Sequence, residues 1–506
     1  MKSIRELYRI GTGPSSSHTM GPRKAAEIFL GKHPEAKAFQ VTLYGSLAAT
    51  GKGHMTDVAI LDTLQPHAPT EIIWKAHVFY PFHPNGMTFK SLNEKGKVTD
   101  EWTVFSVGGG ALAEEGHDKG STPEIYDMNR MSEILYWCER TGRNYWEYVQ
   151  QCEDKDIWDY LAEVWKTMRE AIERGLDQEG VLPGPLNLRR KASTYYIKAK
   201  GYKDNLRSRG LVFSYALAVS EENASGGKIV TAPTCGSCGV VPAVLYHLQK
   251  SRDFSDMRIL RALATAGLIG NIVKHNASIS GAEAGCQAEV GVACSMASAA
   301  ASQLFGGSPA QIEYAAEMGL EHHLGMTCDP VCGLVQIPCI ERNAYAAARA
   351  LDANIYSAFT DGNHRVSFDK VVEVMKQTGH DLPSLYKEIP CGRNCQSSVP
   401  YHEVYIIFVC HFHRKFLIHQ IVVYILFYIT GLFPFREIVI KIFLYIRVFG
   451  GCFGIRVSHV VITAVTTGNI GDVPDCIGTG TILYGRSGQS VSITFGILFT
   501  CKSLIE

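Results

Sequence analysis

The stretch NIVKHNASISGAEAGCQAEVGVACSMASAAAS at 271–302, with EHHLGMTCDPVCGLVQIPCIERN at 321–343, decides how this chain is read. Its runs of Ala, Gly and Ser show no strand-like alternation and predict helices that bury nearly all round. Polar, turn-rich breaks interrupt them, and beside those breaks fall Cys286, Cys328 and Cys339, with 41 and then 10 residues between them. Three thiolates around one centre leave a fourth coordination position open, which is what separates a catalytic metal site from a closed structural one. The same cysteines also read as small apolar fillers of a helical core, and neither gap matches a short zinc or ferredoxin pattern.

Outward from this stretch the helical character persists. GLVFSYALAVSEENASGG (210–227) and ILRALATAGLIGNIVKH (259–275) read as buried helices, and TAPTCGSCG (231–239) as a polar loop between them. Cys235 and Cys238 in that loop form a CxxC, a redox pair or half a zinc site by spacing. Lys274 ends an apolar helix; it reads as a solvated helix end, as a Schiff-base lysine for pyridoxal phosphate, or with Asn276 as a ligand for a substrate carboxylate. Residues 123–185 carry the polar-apolar period of amphipathic helices, and VLPGPLN (181–187) is a natural break.

The N-terminal part differs. GTGPSSSHTMGPRKAAEIF (11–29) is a loop feeding a helix; Ser15, Ser16, Ser17 and Thr19 offer hydroxyls around His18, either as ordinary caps or as a cradle for a carboxylate. FQVTLYGSLAATGKGHMTDVAILD (39–62) alternates like a strand and then turns through Gly51 and Gly53 to His54. Further short β-rich runs to Gly110 surround the turn HPNG (83–86). The expected fold class is therefore an α+β N-terminal domain followed by a mainly all-α catalytic domain.

At 506 residues the chain is long enough for two or three domains. Its 49 basic and 49 acidic residues balance, which argues against nucleic acid as a partner. The start, MKSIRELYRIGTGP, has no apolar core of a secretory signal, so a cytoplasmic location is expected, where the fifteen cysteines read as thiols or ligands.

Three segments, GTGPSSSHTMGPRKAAEIF, KHNASISGAEAGCQAEVG (274–291) and TCDPVCGLVQIPCIERN (327–343), resemble the signatures of the iron-sulfur-dependent L-serine dehydratases, or L-serine ammonia-lyases, of the single-chain type. The resemblance runs from about Ser3 to about Ile389 and stops beyond about Cys391. It implies deamination of L-serine to pyruvate and ammonia, and a [4Fe–4S] cluster held by Cys286, Cys328 and Cys339. It also implies that His18 and His54 line the active site as acid/base residues, and that the loop around Cys235 borders the substrate site. Cys332 stands where the family commonly has glycine, which argues against a ligand role. The expected division is 1–115 beta-type, 116–187 helical connector, 188–395 alpha-type catalytic and 396–506 tail. Two other readings stay open: a pyridoxal phosphate-dependent lyase, and a non-enzymatic metal-binding protein. A homodimer is the default expectation.

The tail breaks the pattern. Residues 404–435 are dominated by Ile, Val, Phe and Tyr, and 416–435 holds no Asp, Glu, Lys or Arg over 20 residues, long enough to span a bilayer. The other reading is a segment foreign to this fold, such as a gene-model artefact, and it makes a membrane partner unlikely. Relatives end in a short tail whose terminal cysteine reaches the cluster; NIGDVPDC (469–476) makes Cys476 the candidate here, with 30 residues beyond it.

Overall fold

The computed structural model describes residues 1–116, 123–383, 386–387 and six strands between 407 and 498. The chain divides into two compact units, Met1–Ser398 and Val399–Glu506.

The first unit opens with a short strand β1 (Ile10–Thr12) and helix α1 (Gly21–Lys32), which precede β2 (Ala38–Tyr44). Helices α2 (Gly45–Thr50) and α3 (Thr56–Leu64) cross over to β3 (Thr70–Lys75), which lies parallel to β2. Strands β4 (Gly86–Leu92), β5 (Val98–Ser106) and β6 (Leu112–Ala113) add antiparallel, giving the sheet order β3-β2-β4-β5-β6. The period of two puts Phe39, Val41 and Leu43 on one face of β2, in register with Ser91, Phe89 and Met87 of β4. That face meets Ala25, Ala26 and Phe29 of α1 and Ile60 and Leu64 of α3 in one buried cluster.

Helices then follow almost without interruption: α4 (Met131–Thr141), α5 (Tyr145–Cys152), α6 (Ile157–Asp177), α7 (Ala192–Gly201) and α8 (Asp204–Ala224). After the short strand β7 (Lys228–Val230) come α9 (Val240–Arg252), α10 (Asp256–Asn276), α11 (Gly281–Ala284) and α12 (Val292–Leu304). Helices α13 (Pro309–Glu321), α14 (Cys339–Ala358) and α15 (Phe368–Asp381) complete the domain. An α+β region leading into a mainly helical one is the fold the sequence predicts.

Central to the helical part is α12, VACSMASAAASQL, of which all residues but Gln303 are buried, packed among α9, α10, α13 and α14. Its small side chains let neighbours approach closely: a Cβ on Gly319 of α13 would stand 2.8 Å from Ser295 Cα. Its hydroxyls are satisfied locally, Ser298 donating to the Cys294 carbonyl at 2.7 Å and Ser295 to the Ala316 carbonyl at 2.6 Å. Cys294 on the same helix is a packing thiol, pushed up to about 12 by burial.

The first nine residues cross into this helical core rather than joining the sheet. Met1, Ile4, Leu7 and Tyr8 are buried in the helical cluster, and Tyr8 OH donates to the Leu263 carbonyl of α10 at 2.9 Å. Glu153 accepts from Ser3 Oγ at 2.7 Å and from Ile4 N at 2.8 Å, while Thr231 Oγ1 donates to the Leu7 carbonyl at 2.6 Å. Next along the chain, β1 pairs antiparallel with β7.

The second unit contains strands β8 (Ile407–Lys415), β9 (Ile418–Ile429), β10 (Ile438–Gly450) and β11 (Ile455–Thr466) in one antiparallel sheet. A separate hairpin joins β12 (Ile477–Arg486) and β13 (Gln489–Leu498). Where the sequence allows a membrane-spanning helix over 416–435, residues 418–429 form a strand, in keeping with the β-branched and aromatic content of IHQIVVYILFYI. Among the described residues no helix is long and apolar enough to cross a membrane. Cys476 lies outside the described residues.

Candidate active site and metal centre

Cysteine positions follow from helix starts. Cys286 immediately precedes a π-helical turn, Gln287–Gly291, that leads into α12, and Cys339 is the first residue of α14. Helix N-termini carry positive potential, which favours thiolate over thiol. Cys328 lies in the loop after α13, its backbone N–H donating to the Tyr386 carbonyl at 2.7 Å. All three are buried.

The ligand atoms of Cys286, Cys328 and Glu289 all lie within 4.8 Å of one another. Arg342, one turn into α14, sits among the thiols: its guanidinium hydrogen-bonds Cys286, interacts with the charges of Cys328 and Cys339, and donates to the Thr327 carbonyl at 2.7 Å. Cys286 is lowered from its ordinary value, chiefly by its hydrogen bond with Cys328 and then by Arg342, against the opposing effect of burial. Glu289 is raised to about 7 by burial, opposed by a hydrogen bond from Thr234 and by Arg342.

Glycine keeps the space open. A Cβ on Gly281 would stand 3.0 Å from Glu289 Oε2 and 3.2 Å from Cys328 Sγ, and one on Gly236 would stand 3.1 Å from the same carboxylate. Three buried thiols, a resident guanidinium and a niche that a methyl group would fill suit a metal centre bound through sulfur.

The loop from Gly13 to Thr19 is a self-bonded knot. Ser15 Oγ accepts from His18 N at 3.2 Å, and Ser15 N donates to Thr19 Oγ1 at 3.0 Å. Thus part of the hydroxyl set is capping chemistry, and the helical turn begins at Ser16, ahead of α1. Asn223 of α8 donates to the Pro14 carbonyl at 2.8 Å, and a Cβ on Gly13 would collide with that amide. The loop is thereby seated on the helical domain.

His18 is fully buried, with Nδ1 at 2.9 Å from Ser17 Oγ and Nε2 at 3.1 Å from Ser46 Oγ. His54, also fully buried, lies edge-on to it with ring centroids 4.6 Å apart. Two reciprocal bonds lock the loops that carry them: Thr19 Oγ1 donates to the His54 carbonyl at 2.7 Å, and Thr56 Oγ1 to the His18 carbonyl at 2.5 Å. Burial depresses both, His18 well below its ordinary value and His54 to about 4, so both rings are neutral near pH 7.

The His54 turn touches the cysteine loop. A Cβ on Gly53 would stand 3.4 Å from the carbonyls of Cys332 and Gly333, and the two loops share a cavity of about 350 Å³ whose lining includes Pro14, Gly53 and Cys332. Cys332 itself adopts φ +56°, a left-handed backbone conformation, which gives the physical reason for glycine at that position in the resembling family.

Lys274 and Asn276 are engaged elsewhere. Lys274 Nζ donates to the Glu6 carbonyl at 3.0 Å and is lowered to about 8, first by burial and then by nearby Arg9; it is not a solvated helix end. Asn276 Nδ2 donates to the Asn129 and Ile272 carbonyls at 2.7 and 2.9 Å. Cys235 and Cys238 are unbridged and buried, and burial raises both thiols, so neither has the character of a redox nucleophile.

Sequence reasoning misses Glu289, Arg342, Ser46 and Asn223. The available signals were a carboxylate three residues after Cys286 in an otherwise apolar helical run, and an arginine three residues after Cys339 on the same helix face.

Comparison with known proteins matches residues 3–77 to the family model of the serine dehydratase beta chain and residues 84–392 to that of the serine dehydratase alpha chain. L-serine dehydratase 1 of Escherichia coli K12 is 40% identical over 446 residues, covering 78% of this chain and 98% of the relative. The L-serine dehydratase of Haemophilus influenzae is 39% identical over 446 residues with the same two coverages. That of Mycobacterium tuberculosis is 39% identical over 447 residues, covering 77% and 96%. With its thiol niche, its paired histidines and these matches, the chain belongs to the serine dehydratase family.

Proposed function

We infer that the protein deaminates L-serine to pyruvate and ammonia, as the names of its relatives indicate. The observation that carries the reading is the contact of the His54 turn with the 328–339 loop, which joins two neutral bases to the segment that bears Cys328 and Cys339.

We propose that Cys286, Cys328 and Cys339 hold an iron-sulfur cluster; the close approach of Cys286 and Cys328, and the guanidinium of Arg342, which interacts with all three, support that choice. When bound, a three-cysteine [4Fe–4S] cluster supplies a Lewis acid with an open position for the substrate's oxygen atoms.

The chain's own groups do the rest. Hydroxyls of Ser16 and Ser17 hold the serine carboxylate, while Ser15 and Thr19 order the loop, and Lys274 and Asn276, bonded to backbone carbonyls elsewhere, take no substrate role. We assign His18, held by Ser17 and Ser46, to positioning, and His54, whose turn meets the 328–339 loop, to accepting the α-proton. A neutral imidazole suits that role, since a protonated one has no lone pair to offer. Loss of the 3-hydroxyl as water leaves aminoacrylate, which tautomerises and hydrolyses to pyruvate and ammonium. We keep the division 1–115 beta-type, 116–187 connector and 188–395 alpha-type catalytic; the sheet core spans 25–104, while residues 1–8 and much of 126–182 pack into the helical core.

The alternatives named above gain no support. Lys274 is held by a backbone carbonyl of the N-terminal segment, which leaves a pyridoxal phosphate lyase without an argument. The test is serine-dependent pyruvate release alongside iron and acid-labile sulfide per chain after anaerobic reconstitution. Roughly four of each, lost in Cys328→Ala together with turnover, is the expected result. Turnover without iron would overturn the cluster, and iron without turnover would overturn the activity.

A further inference from the structure

A cavity of about 1070 Å³ is not used by this chemistry. It lies between the C-terminal ends of α7, α9 and α14, the first half of α8, and Phe305 just after α12. Its size is at the upper end of the range for small-molecule sites.

Three independent features converge there. Lys200, Arg207, Lys250 and Arg252 line the cavity, and no Asp or Glu does among the described residues. Aromatic rings form its apolar wall: Tyr215 packs edge-on to Tyr246 at 4.9 Å and beside Tyr196 at 6.2 Å. Lys200 Nζ lies 4.2 Å from the Tyr196 ring centroid and Lys250 Nζ 5.3 Å from that of Tyr246, so the cations rest on ring faces.

The third feature is polar and buried. Asn354, 4% exposed, lines the cavity with its Oδ1 unpartnered. A buried amide oxygen without a partner is costly to leave unmatched, and a ligand donor would satisfy it. On the same cavity lining, Ser208 Oγ and His247 Nε2 share a 2.9 Å hydrogen bond. Burial lowers His247 to about 4, so that pair is neutral.

We propose that this cavity binds a nucleoside phosphate. The four cations take the phosphates, the tyrosine wall stacks the base, and the Asn354 amide, donor and acceptor at once, pairs with the base edge. An inorganic anion would leave the rings and Asn354 unmatched, and a fatty acid would leave three of the four cations unanswered. This site is separate from the serine reading and stands or falls without it.

The test uses the full chain and a fluorescent N-methylanthraniloyl ATP, followed by anisotropy, with ATP, adenosine and inorganic triphosphate as competitors. ATP is expected to compete at least about tenfold better than either fragment. Arg207→Ala with Lys250→Ala, both at the cavity surface, should weaken binding about tenfold or more. Asn354→Leu should weaken ATP while leaving triphosphate competition unchanged. No saturable binding up to about millimolar ATP, or equal binding by the variants, would overturn the proposal. So would a dimer that Phe359→Asp converts to monomer without any nucleotide binding, since the face would then be an interface between copies.

Discussion

At the scale of single residues, the site rests on desolvation. His54 ordinarily titrates near 6.5 and is held at about 4 by burial alone. The unfolded chain therefore binds a proton that the folded chain refuses as pH falls from about 6.5 towards 4. Stability present above about pH 6.5 is lost across that window, by roughly 3 kcal/mol for complete titration of His54, and His18 adds in the same direction. Thermal unfolding at pH 7.5 and pH 5 should show the fall, and an unchanged melting temperature would contradict the burial of both rings. His54→Asn should lower kcat by about 10² to 10⁴ with iron content unchanged, whereas His18→Asn should act mainly on KM; steady-state kinetics separate the two. Arg342→Gln should leave the fold intact but speed loss of iron to a chelator, because the three thiolates lose their counter-charge. The cysteines and histidines were singled out by their turn-rich loops together with the family resemblance. Arg342 was not, since nothing in ERN at 341–343 says that the helix start points its side chain at thiols 14 and 56 positions upstream.

At the scale of elements, close approach is the governing fact. Helix α6 meets α8 at Gly175, where a Cβ would run into the backbone of Ala218. Gly175→Ala should therefore cost about 1 to 3 kcal/mol by overpacking, read as a drop of a few degrees in the melting temperature with kcat little changed. Helices of this kind were legible, because an Ala- and Ser-rich run over 13 residues fits a buried helix and little else. Strand β2 was legible from its alternation. The pairing of β1 with β7 was not: three residues, IGT, find partners at 228–230, and no local period records a contact so distant in sequence. The tail misleads for a related reason, since a run of Ile, Val, Phe and Tyr satisfies the length rule for a membrane helix and the composition of a strand alike.

At the scale of the whole molecule, family matching ends at residue 392 and the first compact unit at Ser398. A chain stopped at Ser398 should keep its helical circular dichroism, melt within a degree or two of the full chain, and still release pyruvate from serine. Loss of cooperative melting on truncation would show that the second unit supports the first. Legibility also fails at this scale, where nothing in KSIRELYR announces that the first residues belong to the helical core and not to the sheet that follows them. That arrangement fixes an order of events during synthesis. Ile4, Leu7 and Tyr8 leave the ribosome first, yet Glu153, Thr231 and Leu263, which hold them, follow 149, 224 and 255 residues later. At about 5 to 20 residues per second, the nascent N-terminus waits many seconds for its seat. The histidine loop strung behind it is drawn into place only when the chain has grown past α10, so a prematurely released fragment carries the bases but never the assembled site.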